Sequence, residues 1–137
     1  MIYKANFKNY LLVIFSFSVF FSCNKSKKEV IVQGNIINPM GETIQIVGPG
    51  EMEDGRLSLN FLREINIDEN GNFIDTLNLK SSAYFFFIHG RERTQLFLEP
   101  GNKLTINLDS RQFDESITFS GDGSENNMYL KKRFLHQ

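Results

Sequence analysis

Between Thr94 and Leu108 the chain reads TQLFLEPGNKLTINL, with leucine or isoleucine at every second position on either side of a Pro-Gly turn. Leu96 and Leu98 precede Glu99-Pro100-Gly101-Asn102, and Leu104, Ile106 and Leu108 resume the pattern around Thr105 and Asn107. Strand side chains alternate faces, so each half is a strand with one buried and one wet side. Pro100 fixes its own φ and Gly101 can take a positive one, which suits a reversal. A two-residue loop would set Leu104 opposite Phe97. A three-residue loop at 100–102 instead sets Leu98 opposite Leu104 and Leu96 opposite Ile106, and this hairpin is the expected centre of the fold.

The first thirty residues read as an address. Lys4 and Lys8 precede the uncharged run YLLVIFSFSVFF at 10–21, which is followed by Ser22-Cys23. A basic start, an apolar run of about a dozen residues and a small residue before the break fit a secretory signal peptide; a membrane span wants about 18 or more apolar residues. Cys23 after that small residue resembles the bacterial lipobox, although Phe20 stands where many lipoboxes carry Leu. The resemblance implies a signal peptide over 1–22, a diacylglycerol on the Cys23 thiol and a lipidated tether over 23–29. The tether carries Lys25, Lys27 and Lys28, each adding about 1 kcal/mol beside an anionic bilayer, against about 0.8 kcal/mol per buried acyl methylene. Acyl groups on Cys23 therefore hold the membrane, and the lysines read as a solvated tether. Acidic residues do not follow the cysteine, as they do in some surface-exported lipoproteins, which favours the periplasmic face of a Gram-negative outer membrane.

The rest of the chain alternates strand patterns with turns. Val30 to Ile37 is a first strand, with Gly34 at a bulge or close approach, and Asn38-Pro39-Met40-Gly41 turns it. Thr43 to Val47 is a second, ended by Gly48-Pro49-Gly50. The polar stretch from Glu51 to Asn60 has no period and reads as a surface loop of a length that is usually functional or mobile. Phe61 to Ile67 resumes strand character, and Asp68 to Asn72 makes a hairpin turn into Phe73 to Leu79. An odd-length loop there gathers Ile65, Ile67, Phe73, Leu77 and Leu79 on one face. Ala83 to His89, AYFFFIH, is apolar on both parities, which predicts a central strand covered on both sides beside the Thr94–Leu108 hairpin. Asp109 to Glu115 is a connection and Ser116 to Ser120 a last strand. Ser124 N-caps a helix from Glu125 whose stripe joins Leu130 to Phe134 and Met128 to Leu135; it reaches Gln137 without a C-cap, as though more chain followed. The expectation is a mainly β protein: an antiparallel β-sandwich of about seven or eight strands over 30–123, then one C-terminal helix over 124–137, after the signal peptide.

Several chemistries are excluded or disfavoured. The 137-residue chain has a formal net charge of −1, which is no footprint for nucleic acid. Its single cysteine rules out a Cys-x-x-Cys pair and a multi-cysteine zinc site. Asp68, Asn70 and Asn72 have calcium-loop spacing, but Phe73 stands where such a loop wants Gly and Leu79 where it wants Glu, so they read as a turn. His89 and His136 have no third ligand and read as incidental. Nothing is framed as a nucleophile, and Gly48-Pro49-Gly50 lacks the Lys of a phosphate loop. No catalytic residue, metal or cofactor is expected. Tyr84 and Phe85 to Phe87 could be a binding platform, but such a run is more often core.

VQGNIIN, INIDENGNF, YFFFI, LFLEPGNKLTINLD and ITFSGDGSENNMYL, in that order, resemble the N-terminal β-rich domain that precedes a thioredoxin-like domain in lipid-anchored TlpA-like thiol-disulfide oxidoreductases. In that family the redox chemistry belongs to the following domain. The resemblance therefore implies a non-catalytic β-domain that positions or contacts a thioredoxin-like protein or domain. The alternative is a stand-alone lipoprotein that binds a glycan or other small ligand through the 51–60 loop, with Glu51, Glu53 and Asp54, and exposed aromatics.

Overall fold

The computed structural model describes residues 28–53 and 56–135. Eight strands run as β1 (Glu29–Ile37), β2 (Thr43–Glu53), β3 (Arg56–Asn66), β4 (Asn72–Asn78), β5 (Ala83–His89), β6 (Glu92–Leu98), β7 (Lys103–Asp109) and β8 (Thr118–Gly121). A 3-10 turn (Ser110–Gln112) and the short helix α1 (Phe113–Ser116) link β7 to β8, and α2 (Ser124–Leu135) follows. The strands form two four-stranded sheets, ordered β4-β1-β7-β8 and β3-β2-β5-β6. This is the expected sandwich with its C-terminal helix. One pair departs from antiparallel: β1 and β7 run parallel.

Alternation correctly names what lies inside. Leu96, Leu98, Leu104, Ile106 and Leu108 are all buried in one core with Val32, Ile44, Ile46, Phe73 and Phe87. The hairpin expected at 94–108 does not form. Leu96 and Leu98 pair with Phe85 and Ala83 of β5, whereas Leu104 and Ile106 pair with Val32 and Gly34 of β1. The Glu99–Asn102 turn, closed by the Asn102 N–H donating to Glu99 C=O at 3.1 Å, carries the chain from one sheet to the other. The same correction applies at Asp68–Asn72, where β3 pairs with β2 and β4 with β1. Ile65, Phe73, Leu77 and Leu79 are nonetheless buried together, with Ile67 packed on them. In a sandwich the inward sides of two strands joined by an arch face each other, so parity gives the core without giving the pairing.

Two further expectations change. Residues 51–53 and 56–60 are not loop: β2 and β3 extend through them as one long hairpin, in which Met52 pairs with Leu57 and Glu53 with Arg56. The strand β5 is internal to its sheet and beside β6, as expected, but among the described residues no layer covers its outer side. Phe85, Phe87 and His89 point inward, while Tyr84, 54% exposed, Phe86 and Ile88 lie outside. The outer aromatics shelter one another: the Tyr84 and Phe97 rings stand 5.1 Å apart, and the Arg93 guanidinium lies 5.3 Å from the centre of the Phe86 ring.

Gly34 is a close approach, as its place in β1 suggests. A Cβ there would strike the Ile106 carbonyl oxygen of β7, so only glycine lets the parallel pair close. The helix α2 lies against β6 and β8. Asn127 is fully buried on it, and beside Asn127 Met128 packs on the core.

Candidate functional site

The strands give the sandwich two poles. At one, β1 begins: Lys28 C=O accepts the Leu79 N–H at 2.8 Å, and Glu29 C=O accepts the Gly101 N–H at 3.0 Å. The ends of β4 and β6, the start of β7 and the start of α2 gather at this pole, where Asp122 N–H donates to Lys103 C=O at 2.9 Å. The expected signal peptide, Cys23 and the expected tether up to residue 27 lie outside the described residues. Lys28 and Glu29 fix where the described chain enters the fold.

At the opposite pole the turn between β1 and β2 is tied down from several sides. Asn38 takes a positive φ of 53°, and its Nδ2 donates to both carboxylate oxygens of Asp109 at 3.0 and 3.1 Å. Met40 N–H donates to Nε2 of His89 at 2.9 Å, and Nδ1 of His89 lies 3.0 Å from Thr43 C=O. That pairing defines a neutral imidazole with its proton on Nδ1. His89, read as incidental in the sequence, is 1% exposed and pins this turn. Glu42 C=O accepts the Ile67 N–H at 2.8 Å. On the turn so held, Ile37 is 58% and Met40 64% exposed. The Asn38 amide, and then the Arg111 N–H, hold the Asp109 carboxyl below the usual carboxylate range. The helix α2 runs toward this pole, where Lys131 Nζ donates to Glu115 C=O and Ile117 C=O at 2.9 and 2.7 Å.

A cleft of about 640 Å³ opens on the outer face of the β4-β1-β7-β8 sheet, lined by Gln33 and Asn35 of β1, Asn72 and Ile74 of β4, and Thr105 and Asn107 of β7. Register puts Ile74, Gln33 and Thr105 in one row and Asn72, Asn35 and Asn107 in the next. Asp68 stands at the wall, and its carboxylate accepts Asn72 N–H at 2.7 Å, Asn70 N–H at 2.9 Å and Asn72 Nδ2 at 3.2 Å. Those bonds, with the Asn72 backbone first, lower its pKa. The carboxylate is the organiser of a turn, as its spacing with Asn70 and Asn72 predicts.

The acidic site expected around Glu51, Glu53 and Asp54 is not a loop site, because the backbone on both sides of residue 54 is strand; these side chains and His136 lie outside the described residues. The aromatic run splits: Phe85 and Phe87 belong to the core, Tyr84 and Phe86 to an outer face. Sequence reasoning missed the cleft. Its signal is an uncharged polar pair at outward parity in β1, Gln33 and Asn35, and another in β7, Thr105 and Asn107. Only the unforeseen parallel pairing brings the two together. Among the described residues no three metal-ligating side chains converge, and no helix is long and apolar enough to cross a membrane.

No protein-family model and no curated protein matches the chain. Among solved structures it is similar to the crystal structure of a proposed cell adhesion protein from Bacteroides ovatus ATCC 8483, at 10% identity and a TM-score of 0.39. The match covers 69% of this chain and 42% of that one.

Proposed function

We propose that the chain is a lipid-anchored, non-catalytic β-domain on the periplasmic face of the outer membrane, which positions and contacts a thioredoxin-like thiol-disulfide oxidoreductase partner or domain. The observation that carries this reading is the separation of the two poles. A tether lipidated at Cys23 enters at the pole where β1 starts. The nine residues of β1 then span about 30 Å to the other pole. There the rigidly held turn presents Ile37 and Met40 away from the bilayer. An exposed Met on a fixed backbone suits contact with a partner, since its unbranched thioether adapts to an irregular surface. The order of strand and turn motifs resembles that of the β-rich domain of TlpA-like proteins, and the resemblance supplies the class of partner.

The test is photocrosslinking in the cell of origin. A photoreactive amino acid in place of Met40 is expected to capture a protein or domain with a thioredoxin-like Cys-x-x-Cys, and one in place of Asn78, at the tether pole, is not. Capture of the same species from both positions, or of none from Met40, would contradict the reading.

A further inference from the structure

The outer face of the β4-β1-β7-β8 sheet holds chemistry that a positioning role does not use. Three carboxamides there are each fixed at one end. Gln33 Nε2 donates to the Thr105 hydroxyl at 3.1 Å, Asn107 Oδ1 accepts the Asn35 backbone N–H at 3.0 Å, and Asn35 Nδ2 donates to Asn70 C=O and Asn72 Oδ1, both at 2.9 Å. The other ends, Gln33 Oε1, Asn35 Oδ1 and Asn107 Nδ2, engage no partner among the described residues. Anchoring one end of an amide fixes its rotamer, so the ordering cost is met before any ligand arrives. The open ends offer two acceptors and an NH₂ donor, and the Thr105 hydroxyl, already accepting from Gln33, keeps its own hydrogen to donate.

This set selects a class of ligand. An anion calls for cationic side chains or converging N–H groups, and a hard cation calls for several converging oxygens, usually with carboxylates among them. The cleft supplies neither: Asp68, the one charged residue lining it among those described, spends its oxygens on Asn70 and Asn72. A row of neutral donors and acceptors in alternation instead matches hydroxyl groups, each of which donates and accepts at once. Ile74, directly opposite Gln33 in register and 66% exposed, adds an apolar surface for the C–H face of a sugar ring. We infer that this cleft binds a neutral oligosaccharide laid across β4, β1 and β7. Gln33, Asn35, Thr105 and Asn107 form its hydrogen-bonding row and Ile74 its apolar contact.

The test uses the full chain in detergent micelles, with side-chain amide resonances followed by NMR. Linear hexaoses of glucose in α and β linkage, of xylose, of mannose and of N-acetylglucosamine are titrated to about 10 mM, a ceiling that captures millimolar affinities. Inorganic phosphate is the ionic comparison. At least one hexaose is expected to shift the carboxamide signals of Gln33, Asn35 and Asn107, and phosphate to leave them in place. Asn107→Asp keeps the oxygen that accepts the Asn35 N–H but removes the open donor, so it is expected to weaken binding about tenfold with the backbone spectrum preserved. Tyr84→Ala, on the other sheet, is expected to leave binding unchanged. The inference is overturned if no hexaose shifts those signals, if phosphate shifts them as far, or if Asn107→Asp binds as the parent does.

Discussion

Asn127 on α2 grips the backbone of Phe97 in β6 with both ends of its carboxamide: Oδ1 accepts the Phe97 N–H at 2.8 Å, and Nδ2 donates to the Phe97 C=O at 2.9 Å. β6 is the edge of its sheet, and an open edge exposes a row of unpaired backbone groups. One fully buried side chain replaces the missing strand at this point and fastens the helix to the sandwich. Asn127→Ala leaves two partly buried backbone groups of Phe97 without their partner and is expected to cost about 1–3 kcal/mol. Urea unfolding measures the loss, and hydrogen exchange at the Phe97 amide should accelerate. A variant as stable as the parent would mean that α2 does not depend on this contact.

His89 holds the distal turn in the same manner, with each ring nitrogen on one backbone group. His89→Ala removes both bonds and opens a cavity in the core, for an expected loss of about 2–4 kcal/mol. The Met40 amide, read by hydrogen exchange, should lose protection more than the Leu104 amide in the core. Uniform loss across both would show that the ring supports the core at large and not this turn.

Gly34→Ala places a Cβ against the Ile106 carbonyl oxygen. The parallel β1–β7 pair must part to admit it, at an expected cost of about 1–3 kcal/mol or more. Thermal unfolding reports the cost, and Gly41→Ala is the comparison, because a Cβ at Gly41 meets nothing within 4 Å. Equal effects of the two changes would remove the case for a close approach at Gly34.

Acid should weaken the arch between β3 and β4. Hydrogen bonds from Asn72 and Asn70 lower the Asp68 pKa in the folded state, so the unfolded chain binds the proton more readily. The contribution is therefore present above the ordinary carboxyl pKa of about 3.9 and is lost as pH falls through the lower folded value. Asp68→Asn is expected to lower the unfolding midpoint at neutral pH and to match the parent more closely near pH 2, about two units below the ordinary carboxyl value. A gap that stays constant with pH would separate Asp68 from the acid limb.

The inward parity of the strands on either side of the two arches was legible in the sequence, as was the β5–β6 pair, but the pairing of the arched strands was not. Ile65 and Phe73 flank Asp68–Asn72 with the same parity whether the chain makes a hairpin or crosses between sheets, and so do Leu98 and Leu104 around Pro100. Hydrogen-bond partners are set by how two twisted sheets close over one core, which a period-2 pattern does not encode. The polar cleft was hidden for that reason, since Asn35 and Asn107 are 72 residues apart and meet only through the parallel pair. Asn127 and His89 were hidden for another: each is a polar residue that is buried because backbone groups from other elements satisfy it. The 51–60 stretch misled through its charges, which are compatible with a long hairpin as well as with a loop.

The proposed anchor at Cys23 is tested most directly by the mass of the N-terminal proteolytic peptide of the native protein extracted from membranes in detergent. A peptide that begins at Cys23 and carries a diacylglycerol on its thiol is expected. A peptide that begins at Met1, or one that begins near Cys23 with a free thiol, would contradict it.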